Sequence, residues 1–201
     1  MATRLSGPER LIDLDLSVEM LADVLLRADA GTGDCSPLDP PIMAGLLRWG
    51  LTTRLLRAEL VGAGWSFDNP RNLARTIHPS GAFAVVVTTG DESTARAERE
   101  PGPRHPKGYA TELAVLTNGQ LAFDFGDLTR LVIDGPSGAL QPRTWFLLFH
   151  VDAAAIHAEL SFPEGFIGGR MTECSERILL PAIPRWAKVV GASRYNADLR
   201  V

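Results

Sequence analysis

Along the first third of the chain, apolar positions recur every three or four residues; further on they gather into unbroken runs. The first pattern belongs to helices with one buried face, the second to interior strands. Leu21, Val24, Leu25 and Ala28 share a face of a helix predicted over Val18–Ala30. Ser17 precedes it as an N-cap, whose hydroxyl accepts an orphan backbone N–H. Gly31 follows as a left-handed stop. The stretch GTGDCSPLDPP is rich in turn formers and reads as a loop. Asp39-Pro40-Pro41 then opens a longer helix to about Val61, because proline in a first turn gives up an N–H that lacks a partner there anyway. Its stripe is Ile42, Leu46, Trp49, Leu56 and Leu60, widened by Leu47, Leu51, Leu55 and Ala58. A stripe this wide predicts burial against more than one neighbour. Gly62 and Gly64 end the helix.

The stretch from Gly62 to Glu92 reads as the centre of the chain. Asn69-Pro70 repeats the cap-then-proline signal and predicts a short helix from Pro70 to about Ile77. Pro79-Ser80-Gly81 is a turn. Phe83–Thr89 is apolar and β-branched, an interior strand. Ser93 to Gly108 carries charges, three prolines and no apolar period, so an exposed, mobile loop is expected. A third helix is expected over Tyr109–Thr117, with Asn118-Gly119 as its stop. Strands are expected near Thr129–Asp134 and over Arg143–Val151, joined as a hairpin through Gly135–Gly138. Ala153–Leu160 fits either a helix capped by Asp152 or a strand paired with Arg143–Val151. Glu176–Leu180 is the last expected strand. The expected fold is α+β, with N-terminal helices on one face of a mostly antiparallel sheet. Residues 1–180 form one globular domain in this reading, and 181–201 a C-terminal arm.

Composition narrows the setting. At 201 residues, 45% apolar and 22% charged, the chain is an ordinary globular domain able to bury a full core. A net charge of -4 carries no polyanion-binding signature for the molecule as a whole. Cys35 and Cys174 are too few for a disulfide framework and have no CxxC spacing. They point to a reducing, cytoplasmic setting, with both thiols acting as small hydrophobes. No window approaches the roughly 20 apolar residues of a membrane span, so no membrane partner is expected.

No nucleotide-binding, hydrolase-elbow, metalloprotease, kinase or deaminase signature is present. Three looser groupings remain. The first is basic: Arg48, Arg54, Arg57, Arg71, Arg75 and His78, interleaved with Trp49, Trp65 and Phe67. Arg71 and Arg75 would share a helix face, beside free N–H groups that favour an anion. Forked guanidinium groups suit phosphate. From this set Arg54, Arg57, Trp65, Arg71, Arg75 and His78 form the expected binding surface. The second is acidic with a base: Asp91 and Glu92 at a strand's end, with His105 and Lys107 in the loop. Such groups can hold a divalent metal ion and balance charge in phosphodiester hydrolysis, although the D…[DE]-x-K spacing of many nucleases is missing. Asp124 and Asp127 are further carboxylates whose meeting with them in a cleft would favour this reading. The third is His150, Asp152, His157 and Glu159, which would converge on a metal only if both segments are strands.

Two functions follow. The leading one is an intracellular, non-enzymatic binding or accessory protein that uses no cofactor and contacts a protein partner or a nucleic-acid backbone. Its expected surface is Gly62–His78 with the loop. The alternative is a metal-dependent hydrolase of phosphodiesters or nucleotides built on Asp91, Glu92, His105 and Lys107.

Overall fold

The computed structural model describes residues 3–122 and 142–185. In chain order the elements are β1 (Arg4–Ser6), a 3-10 segment (Pro8–Leu14), α1 (Val18–Ala30), α2 (Met43–Val61), β2 (Ser66–Asp68), a 3-10 turn (Pro70–Asn72), β3 (Arg75–Ile77), β4 (Phe83–Thr89), α3 (Tyr109–Ala122), β5 (Arg143–Val151), β6 (Ala155–Ile167), β7 (Arg170–Leu179) and β8 (Ile183–Pro184). The class is α+β, as expected. One sheet runs in the order β1-β7-β6-β5-β4-β3-β2, with β8 beside β6. It is mixed: β4 runs parallel to β5 and β1 parallel to β7, while the remaining pairs are antiparallel.

Both faces of the sheet are covered, which differs from a single layer of helices. Val85, Val87, Trp145, Leu147, Phe149 and Leu160 pack with α1, α2 and the 3-10 segment in the larger core. The alternate positions Val86, Phe146 and Leu148 pack with Val115 of α3 and with Met171. Strand side chains alternate between faces, so the two clusters lie on opposite sides.

Local chemistry explains the boundaries. Ser17 caps α1, its Oγ accepting the Met20 N–H at 3.1 Å. Gly31 closes α1 with φ at -66°, so the helix ends without the left-handed residue expected there. α2 begins at Met43, beyond the Pro40-Pro41 pair, and the Asp39 carboxylate accepts the Ser36 N–H at 2.7 Å instead of capping the helix. At Pro79-Ser80-Gly81 the turn forms as read, with Gly81 at φ 71°.

α3 does not stop at Asn118-Gly119. Asn118 is fully buried and ties the helix to the sheet: its Nδ2 donates to the Thr144 and Pro163 carbonyls at 2.8 and 2.9 Å, and its Oδ1 accepts the Thr144 N–H at 2.7 Å. A Cβ on Gly119 would lie 2.9 Å from the Glu164 carbonyl oxygen, so glycine sets how closely helix and sheet approach.

Ala155–Ile167 is a strand, which resolves the open choice over Ala153–Leu160. Because β4 and β6 flank β5 on its two sides, the expected hairpin with Thr129–Asp134 has no edge of β5 left along Phe146–Phe149; residues 129–138 lie outside the described residues. The stretch read as a C-terminal arm begins inside the sheet, since Ile183 and Pro184 pair with Ile156 and Ala155; residues 186–201, including Trp186, are outside the described residues.

Candidate functional site

The basic stretch folds differently from the predicted helix. Pro70–Asn72 makes a single 3-10 turn, with Arg71 and Asn72 both left-handed at φ 50° and 65°. Asparagine tolerates that region better than other side chains. The chain then reverses, and Arg75–Ile77 pairs with Ser66–Asp68 on one side and with β4 on the other. Cross-strand pairing, with Thr76 buried, outweighs a helical signal only one turn long. Arg71 and Arg75 therefore do not share a helix face.

Most of this set works inside the fold. Arg75 donates to both oxygens of Asp68, its cross-strand partner, at 2.8 and 2.5 Å. Arg57 reaches from α2 to the Asp68 and Arg75 carbonyls and to Asn69, with its guanidinium 4.6 Å from the Phe67 ring centre. Burial pushes its pKa below the ordinary arginine value. Trp65 is buried, with His78 and Phe83 packed edge-on against it. His78 stacks on Phe83 and shares hydrogen bonds with Asp15 and Ser80. Arg71 is exposed beside the Tyr109 ring at 5.6 Å. Arg54 is exposed and makes no ion pair with any described residue. Only these two of the expected binding residues present charge outward.

The acidic set sits where β4 ends. Asp91 Oδ1 accepts the Ser93 N–H at 3.0 Å, closing its own turn. Glu92 and His105 are exposed. The Lys107 backbone N–H donates to Gly169, and burial lowers the pKa of its amine. Asp124 and Asp127 lie outside the described residues. Among the described residues, no three of His, Cys, Asp and Glu gather closely enough to hold a metal ion.

The loop itself is anchored. Gly90 bridges to Pro103, and Pro101, Gly102 and Pro103 are buried. Beneath it lies a fully buried ion pair, Glu159 on β6 with Arg177 on β7. Arg177 donates to the Arg99 and Arg96 carbonyls at 2.8 and 3.0 Å; Glu159 accepts the Ala95 N–H at 2.6 Å and the Ser161 hydroxyl. Residues 96–100 and 104–106 are exposed as expected, while the loop's backbone is held by buried charges of β6 and β7 that no apolar pattern reveals.

That ion pair also takes Glu159 out of the third grouping. His150 and His157 are cross-strand neighbours with ring centres 6.4 Å apart. His157 bonds Asp152 at 2.9 Å. Asp152 accepts the Ala155 and Ala154 N–H groups as well, and these bonds, Ala155 first, hold its carboxyl well below the usual range. His157 pairs with Asp152 at the β5–β6 turn and His150 stands across from His157, but they do not gather as a metal-holding set, and Glu159 is engaged with Arg177.

One surface was not singled out from the sequence. The stripe of α2 is buried at Leu56 and Leu60, yet its beginning runs out beyond the core. Leu38 is 96% exposed, Ile42 71%, Leu46 54%, Leu47 37% and Met43 36%. Trp49 marks the transition: its indole N–H donates to the Val87 carbonyl at 3.0 Å, the point where α2 meets the end of β4. The available signal was length. A 19-residue helix spans about 28 Å, whereas the seven-residue β4 that it crosses spans about 23 Å.

No helix among the described residues is long and apolar enough to cross a membrane. No protein family, curated protein or solved structure matches the chain.

Proposed function

We propose that this chain is an intracellular binding or accessory protein, and that it docks a protein partner through the overhanging first half of α2. The observation that carries this reading is the concentration of exposed apolar side chains over Leu38–Leu47. Monomeric proteins leave few contiguous apolar patches, and larger ones mark interaction surfaces. The nucleic-acid version loses most of its support, because Arg57 and Arg75 are committed to internal partners. Two free thiols suit a reducing compartment.

A photo-activated crosslinker placed at Leu46, and in parallel at Arg71, tests the proposal. Position 46 should give protein adducts whose purified components bind again in isolation. Adducts to nucleic acid from position 71, with affinity falling steeply as salt rises, would overturn it. Phosphodiesterase activity abolished by Asp91→Ala with Glu92→Ala would establish the hydrolase instead.

A further inference from the structure

Resting on that reading, we infer that the partner on this face is a second copy of the same chain, with α2 packed antiparallel against α2 of its twin. A two-fold axis requires a surface that complements itself. Centred between Leu46 and Leu47, such an axis sets Leu46 against Leu47 of the partner subunit. The same register places Met43 against Gly50, and Gly50 is a notch: a Cβ built there meets nothing within 4 Å, so nothing among the described residues requires glycine. It also brings Asp39, in the turn leading into the helix, opposite Arg54. Asp39 is partly buried, its carboxylate accepting the Ser36 N–H and hydroxyl, and Arg54 is exposed with no ion-pair partner among the described residues. Apolar meets apolar, large meets small and acid meets base in one register.

The five side chains leave on the order of 400 Å² open per copy, so the polar rim has to contribute the rest of the roughly 1,200 Å² at which specific interfaces begin for the two sides together. Leu46, Leu47 and Met43 form the apolar centre, and Asp39 and Arg54 lie at the rim, as interfaces are usually built.

Sedimentation of the full chain tests this. The expected result is a species of twice 21.7 kDa. Leu47→Glu should weaken association by at least about tenfold, with the circular dichroism spectrum unchanged, because this side chain does not hold the core. Arg54→Asp should also weaken it, and adding Asp39→Lys should restore it, a rescue that loss of folding cannot mimic. A monomer at about 100 µM, or a dimer indifferent to Leu47→Glu, would overturn the inference. If the chain is monomeric while position 46 still crosslinks to a different protein, the docking reading stands and the second copy is removed. If it dimerises through another face and position 46 crosslinks to nothing, both fall.

Discussion

At Cys174 a thiol lies buried on β7, and burial, helped by the nearby Glu159 charge, pushes its pKa up to about 12. An unfolded chain releases that proton near the ordinary thiol value of about 8.5. Above that value the unfolded state holds fewer protons than the folded one, so folding stability falls as pH rises from about 9 toward 12. Cys174→Ala should flatten that decline in urea titrations at successive pH values; an unchanged slope would show that Cys174 does not cause it. With a thiol reagent at neutral pH, Cys35 should react at once and Cys174 only on unfolding. The same single-residue logic separates scaffold from surface among the arginines. Arg57, Arg75 and Arg177 each satisfy backbone carbonyls or a carboxylate within the fold, whereas Arg54 and Arg71 remain exposed.

Among the elements, the loop after β4 has no regular structure through most of its length and owes its position to charge. Removing Arg177 would leave Glu159 buried without its partner, a loss worth about 3–5 kcal/mol in comparable buried pairs. Arg177→Leu should therefore lower stability by that order in urea unfolding and open residues 91–103 to proteases. Glu159→Leu with Arg177→Leu should recover much of the stability but not the protection, since the loop's backbone would still lack its anchors. Equal protease resistance in Arg177→Leu would refute the anchoring. Elements with a repeating apolar pattern were legible in the sequence: α1, Phe83–Thr89 and Arg143–Val151 fall where their periodicity places them. What escaped depends on distant partners. Asn69-Pro70 starts a helix in many chains, yet here β4 recruits the following residues as a strand. Asn118-Gly119 reads as a stop, yet both residues serve docking of α3 to the sheet. The loop's anchors lie more than sixty residues away in sequence.

At the scale of the whole molecule, a sheet covered on both faces leaves little side-chain chemistry unspent among the described residues, and the sequence could not show which residues those were. The helical period of Ile42 and Leu46 was visible; that the core ends before reaching them was not, because it depends on where β4 stops. That overhang is the proposed working surface, and the arginine-bearing hairpin is scaffold through the internal bonds of Arg57 and Arg75. The most direct measurement is the affinity of the reconstituted complex, by calorimetry, for the wild type, Leu46→Glu and Arg71→Glu. Leu46→Glu should weaken binding by about tenfold or more and Arg71→Glu by less than about twofold; the reverse order would contradict the account.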